Sequence, residues 1–197
     1  LVAVVMSRAY GVASGRFRRI RAPGITFRSR TAGRYASVMA DAEARSILDR
    51  VEGEERDLVL PRFDLDDAWA LGSRMREAAV EAALPIVIGI TLGEARVFHT
   101  ALPGSSADND GWLERKTRVA RRYGRSSYGV GLSFRAEGKD FDTSARLDPT
   151  RYAAHGGVFP ITIAGVGVVG TVGVSGLPQA DDHAFVVAQL RAFAATV

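Results

Sequence analysis

Twenty consecutive residues, Val158 to Leu177, carry no charge. A run of that length can cross a bilayer as a helix, so how it folds decides the class of the whole chain. Ten of the twenty are Val, Ile or Thr, five are Gly, and Pro160 lies inside. β-branched residues punctuated by glycine suit strands and turns rather than a helix. The run therefore predicts two buried strands, Phe159–Ala164 and Val168–Ser175, joined by a tight glycine turn. No membrane span is expected.

The rest of the chain reads around that strand pair. Ile47, Leu48, Val51 and Leu58 recur at helical spacing and predict a helix over Asp41–Asp57, stopped by Pro61. Asp64 is a natural N-cap for a second helix, Leu65–Leu84. Ile86–Thr91 and Ala95–Ala101 read as strands, with Gly93 and Glu94 between them as a hairpin turn. A helix capped at Asp108 or Asn109 runs through Tyr123, and a shorter one covers Ser126–Phe134. The chain closes with an amphipathic helix, Ala180–Ala195, with Phe185, Val186, Leu190 and Phe193 inward. Strands joined as hairpins imply a mainly antiparallel sheet with helices packed on it, an α/β domain spanning residues 40–197.

Charge sets the first forty residues apart. They hold eight arginines and no acid, while the other 157 residues hold 18 basic and 22 acidic groups, a net of −4. The overall +4 therefore belongs to the tail, which weakens any inference from basicity to nucleic acid. Three readings of residues 1–39 stand: a stretch that is not native protein, with Met39 as the true start; a disordered basic arm; or a mitochondrial transit peptide. With no cysteine, thiolate metal sites, disulfides and cysteine nucleophiles are excluded, and three histidines leave little material for a metal cage.

Several motifs remain. Gly165-Val-Gly167-Val-Val-Gly170 spells the dinucleotide fingerprint, but a strand follows it where the pyrophosphate needs a helix N-terminus. Gly173-Val-Ser175-Gly176 falls one residue short of a nucleophile elbow. In His155-Gly156-Gly157 the glycines let backbone pass close to a ligand, and the histidine suits iron or proton transfer. A hydrogen-bonded histidine at a strand entrance is the plainer alternative. Arg115, Lys116, Arg118, Arg121, Arg122 and Arg125 make one helix basic, either to receive carboxylates and phosphates or as a solvated face paired with acids such as Asp108, Asp110 and Glu114. Aromatic residues are too sparse there to argue for nucleic acid. Asp181 and Asp182 open the last helix, where acids suit the dipole, and His183 beside them offers an alternative catalytic pair.

Taken together, Leu60-Pro61-Arg62-Phe63, Ala101-Leu102-Pro103-Gly104, Asn109-x-x-Trp112-x-x-Arg115-Lys116, Arg125-Ser126-Ser127-Tyr128, His155-Gly156-Gly157 and Val174-Ser175-Gly176-Leu177-Pro178-Gln179 resemble the HbpS/GlcG-like heme-degrading-domain superfamily, in its uncharacterised branch. The similarity runs from about Asp41 to the end. It implies a profilin-like, three-layer α/β/α sandwich, a symmetric homo-oligomer, and heme binding or degradation. His155 is then the candidate heme-iron ligand with His99 in reserve, and His155, Gly156, Gly157, Lys116 and Arg125 form the candidate ligand site for heme or a small anion. A non-catalytic oligomeric adaptor is the alternative. The expected setting is the cytoplasm.

Overall fold

The computed structural model describes residues 30–197, with side chains from Ala42 onward. Most of the basic tail, and with it the choice among its three readings, lies outside the described residues. In chain order the elements are α1 (Arg30–Asp57), β1 (Val59–Leu60), α2 (Leu65–Glu81), β2 (Val87–Leu92), β3 (Ala95–Ala101), α3 (Ala107–Tyr123), α4 (Ser127–Ala136), α5 (Phe141–Ser144), β4 (Val158–Ile163), β5 (Gly167–Ser175) and α6 (Gln179–Ala194).

The uncharged run folds as expected, into β4 and β5 paired antiparallel, with Gly165 turning between them at φ +75°. Gly170 lies within β5, and a Cβ there would overlap the Thr91 carbonyl. The fingerprint glycines thus serve a turn and a close strand contact, and the nucleotide reading falls. The five strands run in the order β1-β4-β5-β2-β3, with only β1–β4 parallel.

Local chemistry explains the helix starts. Asp64 accepts from the N–H groups of Asp66 and Asp67, both at 3.0 Å, and Asp67 accepts from the Asp64 N–H at 3.1 Å, a reciprocal capping box. The helix was expected to reach Leu84. It ends at Glu81 instead, because Ala83 turns out at φ +50° ahead of Pro85. Ser106, not Asp108 or Asn109, caps α3. Asn109 works from the third helical position and accepts from the Ser106 N–H at 2.8 Å. β1 and α5 went unforeseen because two and four residues are too few to show a period.

The two faces of the sheet differ. Ile88, Ile90, Phe159, Ile161, Val172 and Val174 form one face and pack on Leu71 and Met75 of α2 and Val186, Leu190 and Phe193 of α6. Phe185 is only half-buried at the edge of this core. The other face carries Val87, Gly89, Val158 and Gly173 under α3, with α4 and α1 beyond. Gly89 and Gly173 are partners in register, and Leu113 fills the space above both. The result is the expected α/β/α sandwich.

Leu113 is buried over two residues that offer no side chain, so the sheet below cannot collapse to refill its place. Leu113→Ala is expected to cost about 2–5 kcal/mol in urea unfolding, the range for buried leucine truncations.

Candidate functional site

The site grows from two glycines. A Cβ on Gly156 would overlap the Gln179 carbonyl, and Gly157 adopts φ +127° with the Val174 carbonyl and Lys116 Nζ close against it. Only glycine lets residues 156–157 lie so near the start of α6 and the end of β5. That approach completes a cage around Lys116. Its ammonium donates to the carbonyls of Gly156 and Val174 and to Asp182 Oδ2, each at 2.9 Å. Asp182 Oδ1 accepts from the Leu177 N–H at 3.0 Å. Lys116 and Asp182 are both almost fully buried. Burial pushes the lysine pKa below its ordinary value and the aspartate pKa above, and their mutual attraction opposes both shifts.

Beside this pair lies a pocket of about 250 Å³, lined among others by Asn109, Trp112, His155, Ser175 and Gln179. The exposed His155 ring meets Trp112 edge-on, centroids 5.3 Å apart, and the Arg115 guanidinium lies 3.8 Å over the Trp112 ring. His155 makes no hydrogen bond among the described residues. Partial burial lowers its pKa. Asp142 opposes that shift, and Arg135, Lys116 and Arg115 reinforce it. The shift favours the neutral imidazole, which leaves one nitrogen free to accept a metal or a proton. Gln179 Oε1 is buried without a partner in the same lining.

The structure brings His155, Gly156, Gly157 and Lys116 together and leaves Arg125 out. Arg125 binds Glu55 through Nε at 3.1 Å and Glu52 through Nη2 at 3.0 Å, fastening α1 to the start of α4. His99, on β3, is bound to Asp110 Oδ1 at 2.6 Å. Asp182 and His183 are not a pair. His183 is buried between Tyr128 and Phe159, and its Nε2 meets Glu54 Oε2 at 2.9 Å. Among the other basic residues of α3, Arg118 pairs with Glu114 and Arg121 with Glu94.

Trp112, Gln179 and the role of Asp182 were not foreseen. A signal for Lys116 was present: it falls three residues after Leu113 and four before Ala120, on the helix face that those two bury. Among the described residues no three His, Cys, Asp or Glu side chains cluster to hold a metal ion. No described helix is long and apolar enough to cross a membrane.

Two outcomes follow. Lys116→Met leaves Asp182 buried and uncompensated and is expected to cost about 3–5 kcal/mol, with Lys116→Met/Asp182→Leu recovering a large part of that loss in the same denaturant titration. Burial lowers the His183 pKa against its attraction to Glu54, so the unfolded chain binds the proton more readily. Stability therefore rises with pH through the window below the ordinary histidine value and is lost on acidification. His155 acts with the same sign. Thermal melts from pH 7 to 5 should show a shallower decline for His183→Phe than for the parent, though not a flat one.

Residues 63–191 match the family described as "Haem degrading protein HbpS-like". A UPF0303 protein of Streptomyces avermitilis is 54% identical over 155 residues, covering 79% of this chain and 95% of its own. The crystal structure of Ybr137w protein superposes with a TM-score of 0.69 at 34% identity, covering 76% of this chain and 88% of that one. The PduOC:heme complex shares the fold, with a TM-score of 0.56 at 15% identity over 66% of this chain and 94% of its own.

Proposed function

The chain belongs to the HbpS-like family and is similar to its UPF0303 proteins, and from that membership we propose that it is a ligand-binding protein whose site is the His155–Trp112 pocket, with heme or a small anion as ligand. One observation carries this reading: His155 stands exposed and without a hydrogen-bond partner among the described residues, at the mouth of a pocket built from three separate segments. His183, by contrast, is buried and engages Glu54 through Nε2, although its Nδ1 is buried without a partner.

The donor set fits heme in part. A neutral imidazole suits iron, and the nearby Arg115 suits a propionate. The volume of about 250 Å³ is below the roughly 300–1,000 Å³ of pockets that enclose drug-sized ligands. The pocket is therefore too small to enclose a porphyrin, and His155 and Arg115 are the residues that would hold one at its mouth. When bound, heme would supply redox and peroxide chemistry. The protein's part would be to offer the His155 imidazole to the iron, the Trp112 face to the apolar ring system and the Arg115 guanidinium to the carboxylates. Lys116 serves this site indirectly, because its three protons are taken by the protein and it shapes the wall rather than meeting the ligand.

The alternative, a non-catalytic oligomeric adaptor, has its own support. Lys116 and Arg125 are committed to internal partners, as purely structural residues would be. Exposed Leu65 and Trp69 on α2, beside the edge strand β3, offer a second copy an apolar surface. We place either form in the cytoplasm as a homo-oligomer.

Absorbance titration of the full chain with hemin separates the readings. A saturable Soret shift that His155→Ala abolishes and His99→Ala leaves intact is expected. A shift that survives His155→Ala removes that residue as ligand, and no shift beyond adsorption leaves the small anion or the adaptor.

A further inference from the structure

The same helix that presents Trp112 and Lys116 to one pocket borders a second, larger cavity of about 710 Å³. Sheet residues Gly89, Thr91 and Gly170 line it, together with α3 and with Arg151 and Tyr152 from the segment before His155. The space exists because this face of the sheet carries glycine and threonine where the opposite face carries Ile and Val. The Thr91 and Thr171 hydroxyls bind each other at 2.8 Å and are both buried. The two cavities share no lining residue.

Its charge is out of keeping with its surroundings. Arg96, Arg118, Arg121, Arg122 and Arg151 line it against only Glu94 and Glu114, a net of +3, on a body whose net charge is −4. Glu114 is taken by Arg118 and Glu94 by Arg121. Arg96, Arg122 and Arg151 have no carboxylate within ion-pair distance among the described residues. Arg121 Nε is buried with no acceptor, although buried donors in folded proteins are ordinarily satisfied. Its carboxylate partner Glu94 is almost wholly exposed, so that pair is solvent-screened and easily displaced. Arg96, Arg122 and Arg151 are exposed, so water and salt screen part of their mutual repulsion, and an anion between them would relieve the rest.

We propose that this groove is a binding site for a small organic polyanion, a molecule bearing two or more phosphate or carboxylate groups. Guanidinium forks match both groups in bidentate geometry. Several of them around one cavity call for several anionic groups on one ligand. Leu113, Val168, Val169 and Tyr152 give it an organic body to rest on. A nucleic-acid strand fits less well, because Tyr152 is the one aromatic side chain in the lining and successive bases need stacking partners.

Isothermal titration calorimetry of the full chain at low ionic strength, with inorganic pyrophosphate and with citrate as probes, tests this. Saturable binding of about one anion per chain is expected, weakened about tenfold or more in Arg122→Gln/Arg151→Gln, as loss of two charge-assisted contacts implies. Arg74→Gln, an exposed change on α2 across the sheet, and His155→Ala should bind as the parent does, with far-UV circular dichroism confirming that every variant is folded. A preference for pyrophosphate marks the ligand as a phosphate ester or anhydride, and one for citrate marks it as a polycarboxylate. Absence of saturable heat overturns the proposal. So does binding that Arg122→Gln/Arg151→Gln leaves unchanged, which would assign the anion to the arginines of residues 1–40. Loss of binding in His155→Ala alone would move it to the other pocket.

Discussion

Lys116 carries its charge to a place water does not reach, and four pieces of chain depend on how that charge is met. Its ammonium has three protons and finds three acceptors, one on the loop before β4, one at the end of β5 and one on α6. Desolvating a charged pair costs several kcal/mol per ion, and only full hydrogen bonding in good geometry offsets it. The surrounding residues follow from that demand. Gly156 and Gly157 are needed because any side chain would hold the loop away from its neighbours. Asp182 sits in the first turn of α6, where the helix dipole and the Leu177 N–H both favour its carboxylate. An apolar pair would hold these elements together as firmly, but it would not dictate where each backbone carbonyl must point.

That fixed arrangement is also what makes a pocket beside it. The segments around Asn109–Lys116, His155–Gly157 and Ser175–Gln179 meet at the buried ion pair, and the small cavity is the space left on their outer side. Trp112 and His155 face outward from it, one carrying Arg115 on its ring and the other an unbonded imidazole. A buried, saturated pair beneath an unsaturated rim suits a site that must keep its shape whether or not a ligand is present.

Much of this was legible in the sequence because the signals are local. The Asp64 cap, the Gly93-Glu94 hairpin and the glycine-broken strand pair each depend on neighbours within a few residues, and each appears where chemistry puts it. The resemblance to a family had already grouped the segments that converge. What stayed hidden depends on partners far along the chain. Lys116 read as a cation of a basic helix and a candidate ligand contact, although its position relative to Leu113 and Ala120 turned it inward to internal acceptors. Arg125 read as a ligand contact, whereas its acceptors Glu52 and Glu55 lie some seventy residues away on α1. His183 beside Asp182 offered a catalytic pair only as an alternative to acids suited to the helix dipole, and as neighbours on a helix pointing about 100° apart the two find different partners.

The basic residues of α3, which looked alike in the sequence, are sorted by what the sheet beneath them offers. Where β5 ends and α6 begins, free carbonyls and a carboxylate draw Lys116 inside. Where α3 passes over glycine and threonine further along, no carboxylate rises from the sheet, and Arg118, Arg121 and Arg122 line a cavity with peripheral glutamates and the Arg151 carbonyl, which accepts from Arg118 at 3.3 Å, against them. Side chains large enough to fill that face would have closed the cavity and spread these partly exposed guanidinium groups apart. The fold keeps instead the arrangement in which several cations converge on one open cavity. For a body that is otherwise acidic, such an arrangement stabilises nothing internal, which is the physical reason to look for its partner outside the chain.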